Sequence, residues 1–95
     1  MYLLYILSCA DGTLYTGITS NLPRRLVQHE AGKGAKYTRG RTPLTLVYLS
    51  PCASKSAALK EEHRVKRLSR AGKLALIGGC DVSTQTQFLR PNKKP

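Results

Sequence analysis

From Tyr2 to Cys9 every position except Ser8 is apolar or aromatic. A run this short and continuous predicts a strand buried on both faces. Ala10-Asp11-Gly12-Thr13 then breaks the pattern with turn chemistry, Asp-Gly at its centre. Leu14 to Thr19 reads as a second strand, so the two should form an antiparallel hairpin. Ser20 and Asn21 offer an N-cap, and Pro23 falls in a permitted first turn. They predict a helix from Leu22 to about Ala31, stopped by Gly32. Leu22 and Leu26 are expected on its core face, and Arg25 and His29, four apart, on another. No period fits Gly32 to Arg41, which reads as a loop. A third strand follows Pro43, with Leu44, Leu46 and Tyr48 on one face and Thr45, Val47 and Leu49 on the other, and Pro51 ending it. Ser54 or Ser56 caps a longer helix running to about Arg70, its apolar side marked by Ala58, Leu59, Val65 and Leu68. Gly72 interrupts, and Lys73 to Ile77 predicts a short third helix closed by Gly78-Gly79. Residues 80–95 are polar and are expected to form a loose tail.

The order strand, strand, helix, strand, helix, helix predicts an α/β domain over residues 1–79, a small antiparallel or mixed sheet covered by helices. The chain has 95 residues, enough for one domain and too few for two. Hydrophobic residues make up 41%, a globular composition. The three cysteines, Cys9, Cys52 and Cys80, form no Cys-x-x-Cys pair. No zinc site and no disulfide partner are therefore expected, and free thiols suit a reducing cytoplasm. No apolar run approaches the ~20 residues that span a bilayer.

Charge changes the picture. Lys and Arg number 16 against 5 Asp and Glu, a net of +11. Such a surface favours a polyanion, and nucleic acid is the leading partner because each phosphate contact releases counterions. No Lys or Arg occurs before Arg24. The basic residues then gather in two groups, Arg24 to Arg41 and Lys55 to Lys73. If the loop and the second helix border one surface, they form a groove for a phosphate backbone. Lys33, Lys36, Tyr37, Arg39, Arg41 and Lys66 are its candidate contacts.

No Ser-His-Asp array, Walker loop or His-Glu-x-x-His pattern occurs. Arg25 and His29 form a polar pair directly after the hairpin. Glu61 and Glu62 are acids in an otherwise basic helix, beside its apolar stripe. A partly buried carboxylate there could hold a hard divalent cation, or form an ordinary helix pair such as Glu62 with Lys66. Tyr5 and Tyr15, on the paired strands, read as core residues on pattern alone.

Taken together these residues resemble the GIY-YIG nuclease superfamily. Leu3-Leu4-Tyr5 and Tyr15-Thr16-Gly17 stand where its two name motifs do, the tyrosines ten residues apart. Asn21-Leu22, Arg25 and His29 match its NLxxRxxxH pattern. Ala58-Leu59-Lys60-Glu61-Glu62, followed by Lys66, matches its ALxxE-xxx-K helix. The loop resembles that of the small single-domain bacterial members, and the similarity covers residues 2 to about 77. The resemblance implies a three-stranded antiparallel sheet flanked by helices, and phosphodiester hydrolysis with one divalent ion, Mg²⁺ or Mn²⁺. It implies that Tyr15 helps activate the attacking water, that Tyr5 positions the water or the phosphate, and that Arg25 contacts the scissile phosphate. It further implies that His29 orients or deprotonates the tyrosine hydroxyl, that Glu62 is the sole protein ligand of the metal, and that Gly17 keeps the strand end open for the phosphate.

The expected activity is therefore metal-dependent endonucleolytic cleavage, of DNA before RNA, in repair or processing. A basic nucleic-acid-binding module without catalysis explains the charge equally well. A ribosome-associated or membrane-surface protein explains the charge but not the ordered motifs. No element reads base edges, so sequence-specific cutting is not expected.

Overall fold

The structure, a computed structural model, describes residues 1–33 and 40–79. Strands β1 (Tyr2–Ser8), β2 (Leu14–Thr19) and β3 (Thr45–Cys52) form one sheet in the order β2-β1-β3. Both pairings are antiparallel. Helix α1 (Leu22–Glu30) lies between β2 and β3 in sequence, and α2 (Lys55–Lys66) and α3 (Arg70–Gly78) follow β3. The order is the ββαβαα expected from the sequence.

β1 is central, which explains its unbroken apolar run. Leu3, Tyr5 and Leu7 face one side, where they pack with Leu22 of α1 and Leu49 of β3. Leu4 and Ile6 face the other and meet Val65 of α2, with Leu76 and Ile77 of α3 alongside. Removing each such side chain from water is worth roughly 1.5–3 kcal/mol, so β1 anchors both halves of the core. The β1–β2 turn closes with Cys9 N–H donating to the Thr13 carbonyl at 2.8 Å and Gly12 at a φ of 86°. Asp11 Oδ1 accepts from the backbone and hydroxyl of Thr13 at 3.1 and 2.6 Å.

Three element boundaries differ from the sequence reading. Pro51 does not end β3, which continues to Cys52. β3 is an edge strand, where a residue without an N–H is tolerated. A register shift against β3 between Ile6 and Leu7 pairs Tyr48 with Ile6 and Leu46 with Leu7, leaving Val47 as the extra residue. This bulge puts Leu46 and Leu49 on the same face although only two residues lie between them. The second helix ends at Lys66 rather than Arg70. Ser69 starts a new helix there, its side chain accepting from the Gly72 N–H at 3.1 Å. Gly72 therefore lies in the first turn of α3 and does not interrupt a helix. The cap of α2 is Ser54, not Ser56, and that of α1 is Asn21. The expected tail, residues 80–95, lies outside the described residues.

Candidate active site

The hairpin register sets Tyr5 opposite Gly17. Tyr15 stands two residues before Gly17, on the same face of β2. A Cβ at Gly17 would lie 2.7 Å from Tyr5 Oη, 2.8 Å from its Cζ and 3.0 Å from Tyr15 Cε2. Only a residue without a side chain lets the Tyr5 phenol lie across β2. The space above Gly17 is thus filled by Tyr5, and is not left open for a phosphate as the resemblance implied.

Helix α1 brings Arg25 and His29 to this phenol. Tyr5 Oη lies 2.9 Å from His29 Nε2, and both residues are fully buried. Arg25 Nε donates to Tyr5 Oη at 3.4 Å, while its Nη1 donates to Gln28 Oε1 at 3.2 Å. The Tyr5 oxygen is thus held from two sides, by the Arg25 guanidinium and by the His29 ring. The Tyr15 ring packs edge-on to His29 at 5.2 Å and tilted to Tyr5 at 6.2 Å between centroids. Burial pushes the Tyr5 pKa up to about 12, against the opposing pull of the Arg25 hydrogen bond. Burial, and then the Arg25 charge, hold His29 below the usual imidazole range. At neutral pH the pair is therefore a phenol and an uncharged imidazole.

Arg25 and His29 share a face, as expected from spacing, but that face is turned onto Tyr5 and His29 is buried in the core. Leu22, Leu26 and His29 stand at i, i+4 and i+7, a core stripe that the sequence already carried.

Helix α2 supplies the carboxylates. Glu61 is engaged by Arg64, whose Nε and Nη2 donate to it at 3.1 and 2.6 Å. Glu62 is more sheltered, and its Oε2 lies 3.2 Å from Lys66 Nζ. The helix pair open on sequence grounds is thus formed. Glu62 also faces the site electrostatically, since its charge adds to the upward shift of Tyr5. Lys66, with Leu14, Tyr15, Thr16 and Lys73, lines a recess of about 320 Å³. Thr16 Oγ1 is buried with no hydrogen-bond partner among the described residues, and nothing in the sequence singled it out.

The donor set fits a hard, oxygen-seeking ion that keeps most of its waters, with Glu62 as its one carboxylate. It does not fit an ion needing several protein ligands. Among the described residues no three His, Cys, Asp or Glu side chains gather to hold a metal.

The expected nucleic-acid contacts are placed unevenly. Lys33 is exposed just past α1, and Lys66 lies at the recess. Arg41 is partly exposed, with its Nη1 donating to Asp11 Oδ2 at 2.6 Å, which ties the loop to the hairpin turn. Lys36, Tyr37 and Arg39 lie outside the described residues.

A model of the GIY-YIG catalytic domain matches residues 1–75. The chain belongs to the GIY-YIG family. It is 60% identical over 73 residues to a UPF0213 protein of Natronomonas pharaonis, covering 77% of this chain and 86% of that one. A UPF0213 protein of Oceanobacillus iheyensis is 56% identical over 73 residues, covering 77% and 85%. The solution NMR structure of a UPF0213 protein from Bacillus halodurans aligns with a TM-score of 0.55 at 48% identity, over 82% of this chain and 84% of that one. The domain is thus similar along most of its length to UPF0213 proteins of bacteria and archaea. Its tyrosine, arginine and histidine motif positions are the residues gathered at Gly17.

Proposed function

We propose that this GIY-YIG domain hydrolyses phosphodiester bonds of nucleic acid, DNA before RNA, with one Mg²⁺ or Mn²⁺ held by Glu62. The observation that carries this reading is the hydrogen-bonded Tyr5, His29 and Arg25 cluster, with Tyr15 against it, inside a GIY-YIG domain. Arg25 meets the scissile phosphate. Its guanidinium stays charged, is steadied by Tyr5 and Gln28, and offers donors to oxygens that gain charge in the transition state. Tyr5, with a pKa near 12, is not the base; it positions Arg25. His29, uncharged and buried, shares a hydrogen bond with Tyr5 Oη and fixes the phenol's orientation. Tyr15, half-buried at the recess, is left to assist the attacking water. When bound, the ion polarises a phosphate oxygen and lowers the pKa of a water.

The net charge of +11 supports a nucleic-acid substrate, and the unpaired thiols of Cys9 and Cys52 suit a cytoplasmic setting. The Glu62–Lys66 pair also suits a binding module without catalysis. Incubating the protein with labelled single-stranded, duplex and branched DNA and with RNA, each in Mg²⁺, Mn²⁺ or EDTA, separates the two. Nicking of any substrate with metal and none with EDTA supports the nuclease. Binding without cutting under every metal overturns it and leaves the binding module.

A further inference from the structure

Three recesses lie along β2, an edge strand of the sheet. One, of about 410 Å³, is lined by Ile18, Thr19 and Ser20 of the strand end with Arg24, Arg25 and Lys55. A second, beside Leu14, Tyr15 and Thr16, carries Lys66 and Lys73. The third shares Leu14 and Lys73 with it and adds Arg70, so these two run together. Every charged residue lining the three is cationic. Arg25 lines the recess at one end and Tyr15 the recess at the other, so the tyrosine–arginine cluster lies between them.

The helix geometry makes this a line. Lys55, the first residue of α2, meets the C-terminal end of β2, and Lys66, its last, meets the N-terminal end. Helix and strand therefore run antiparallel side by side. At 1.5 Å per residue, the two lysines are about 16 Å apart. β2 covers a similar length at about 3.3 Å per residue. Glu62 lies between the two lysines on the same helix.

We propose that one phosphate backbone of the nucleic acid runs along the β2–α2 edge. It would enter at Lys73 and Arg70, pass Tyr15 and Arg25, and leave past Arg24 and Lys55. This rests on the nucleic-acid reading above and adds the path, its direction relative to the sheet and the residues that hold it. A single row of cations on both sides of one catalytic cluster fits one backbone, and each contact holds a phosphate without reading a base. The path keeps the second helix expected from sequence and adds Arg24 of α1 and Arg70 and Lys73 of α3.

The test is the salt dependence of binding to a fluorescent single-stranded oligonucleotide in EDTA. Log affinity against log salt falls with a slope of about 0.7 per phosphate contact on a single strand. Two double variants, R70Q/K73Q and R24Q/K55Q, change exposed or half-exposed residues outside the catalytic cluster. Thermal melting confirms that each folds. Each double variant is expected to lower the slope by about 1.4, and K33Q, outside the path, to leave it unchanged. A drop in one pair alone confines binding to one end and overturns the continuous path. Unchanged slopes in both pairs overturn it outright. Wild type that binds no oligonucleotide overturns the nucleic-acid reading itself.

Discussion

Gly17→Ala places a methyl where Tyr5 lies. In an ordinary strand this change stabilises by roughly 0.5–1 kcal/mol, because glycine loses more freedom on folding. Here the new Cβ would stand 2.7 Å from Tyr5 Oη and 2.8 Å from Cζ. Tyr5 cannot retreat easily, since it is fully buried and packed with Leu3, Leu7, Leu22 and Leu49. Overpacking of this kind costs about 1–3 kcal/mol. If the phenol moves, the contact with buried His29 breaks, and an unsatisfied buried group costs about 1–3 kcal/mol more. The expected net loss is about 2–4 kcal/mol. Urea unfolding reads it directly. With a slope of about 1–3 kcal/mol/M, the midpoint should fall by about 1 M or more while the slope holds. Tyr5→Phe relieves the Oη clash but not that with Cζ, so the double variant should be more stable than the sum of the singles implies. A Gly17→Ala protein as stable as wild type, or more so, would refute the packing of Tyr5 over β2.

Tyr5→Phe alone should destabilise by about 1–2 kcal/mol, because His29 Nε2 loses its partner in the core; chemical denaturation checks it. His29 is less basic folded than unfolded, so the unfolded chain binds more protons near the unfolded value of about 6.5. Stability should therefore be full above that pH and fall as pH drops below it. His29→Gln should flatten this part of a pH–stability curve, and a fall of equal size in that variant would contradict the assignment. Glu62→Gln removes a partly exposed helix pair worth about 0.3–0.5 kcal/mol, so melting should barely change. Metal-dependent cleavage should nevertheless be lost. An unfolded Glu62→Gln protein would instead make the carboxylate structural.

The strands and their order were legible because β1 is buried on both faces and the Asp11-Gly12 turn is unambiguous chemistry. The end of β3 was not, because whether Pro51 stops a strand depends on whether that strand is an edge. The division between α2 and α3 was masked by Val65 and Leu68, which continue an apolar period across the break, while Ser69 reads as a cap only once Gly72 N–H is seen to donate to it. At the site, the family pattern marked Tyr5, Tyr15, Arg25, His29 and Glu62, but their mutual roles depend on contacts across 20 or more residues. That His29 pairs with Tyr5, and that Gly17 makes room for a phenol, follow from the hairpin register and the α1 crossing. That Arg41 pairs with Asp11 was not legible, because the two lie thirty residues apart.

In the proposed reaction the cluster at Gly17 performs the cleavage, with Arg25 on the phosphate. Arg25→Lys keeps the charge but loses the planar fork that both rests on Tyr5 and offers two donors. The most direct measurement is single-turnover cleavage by wild type and Arg25→Lys at saturating protein with Mg²⁺, beside each protein's affinity for the same strand in EDTA. The account predicts affinity within a few-fold of wild type and a cleavage rate reduced about 100-fold or more, as when a donor to a developing oxyanion is removed. Equal cleavage rates in the two proteins would contradict it and move the chemistry away from this cluster.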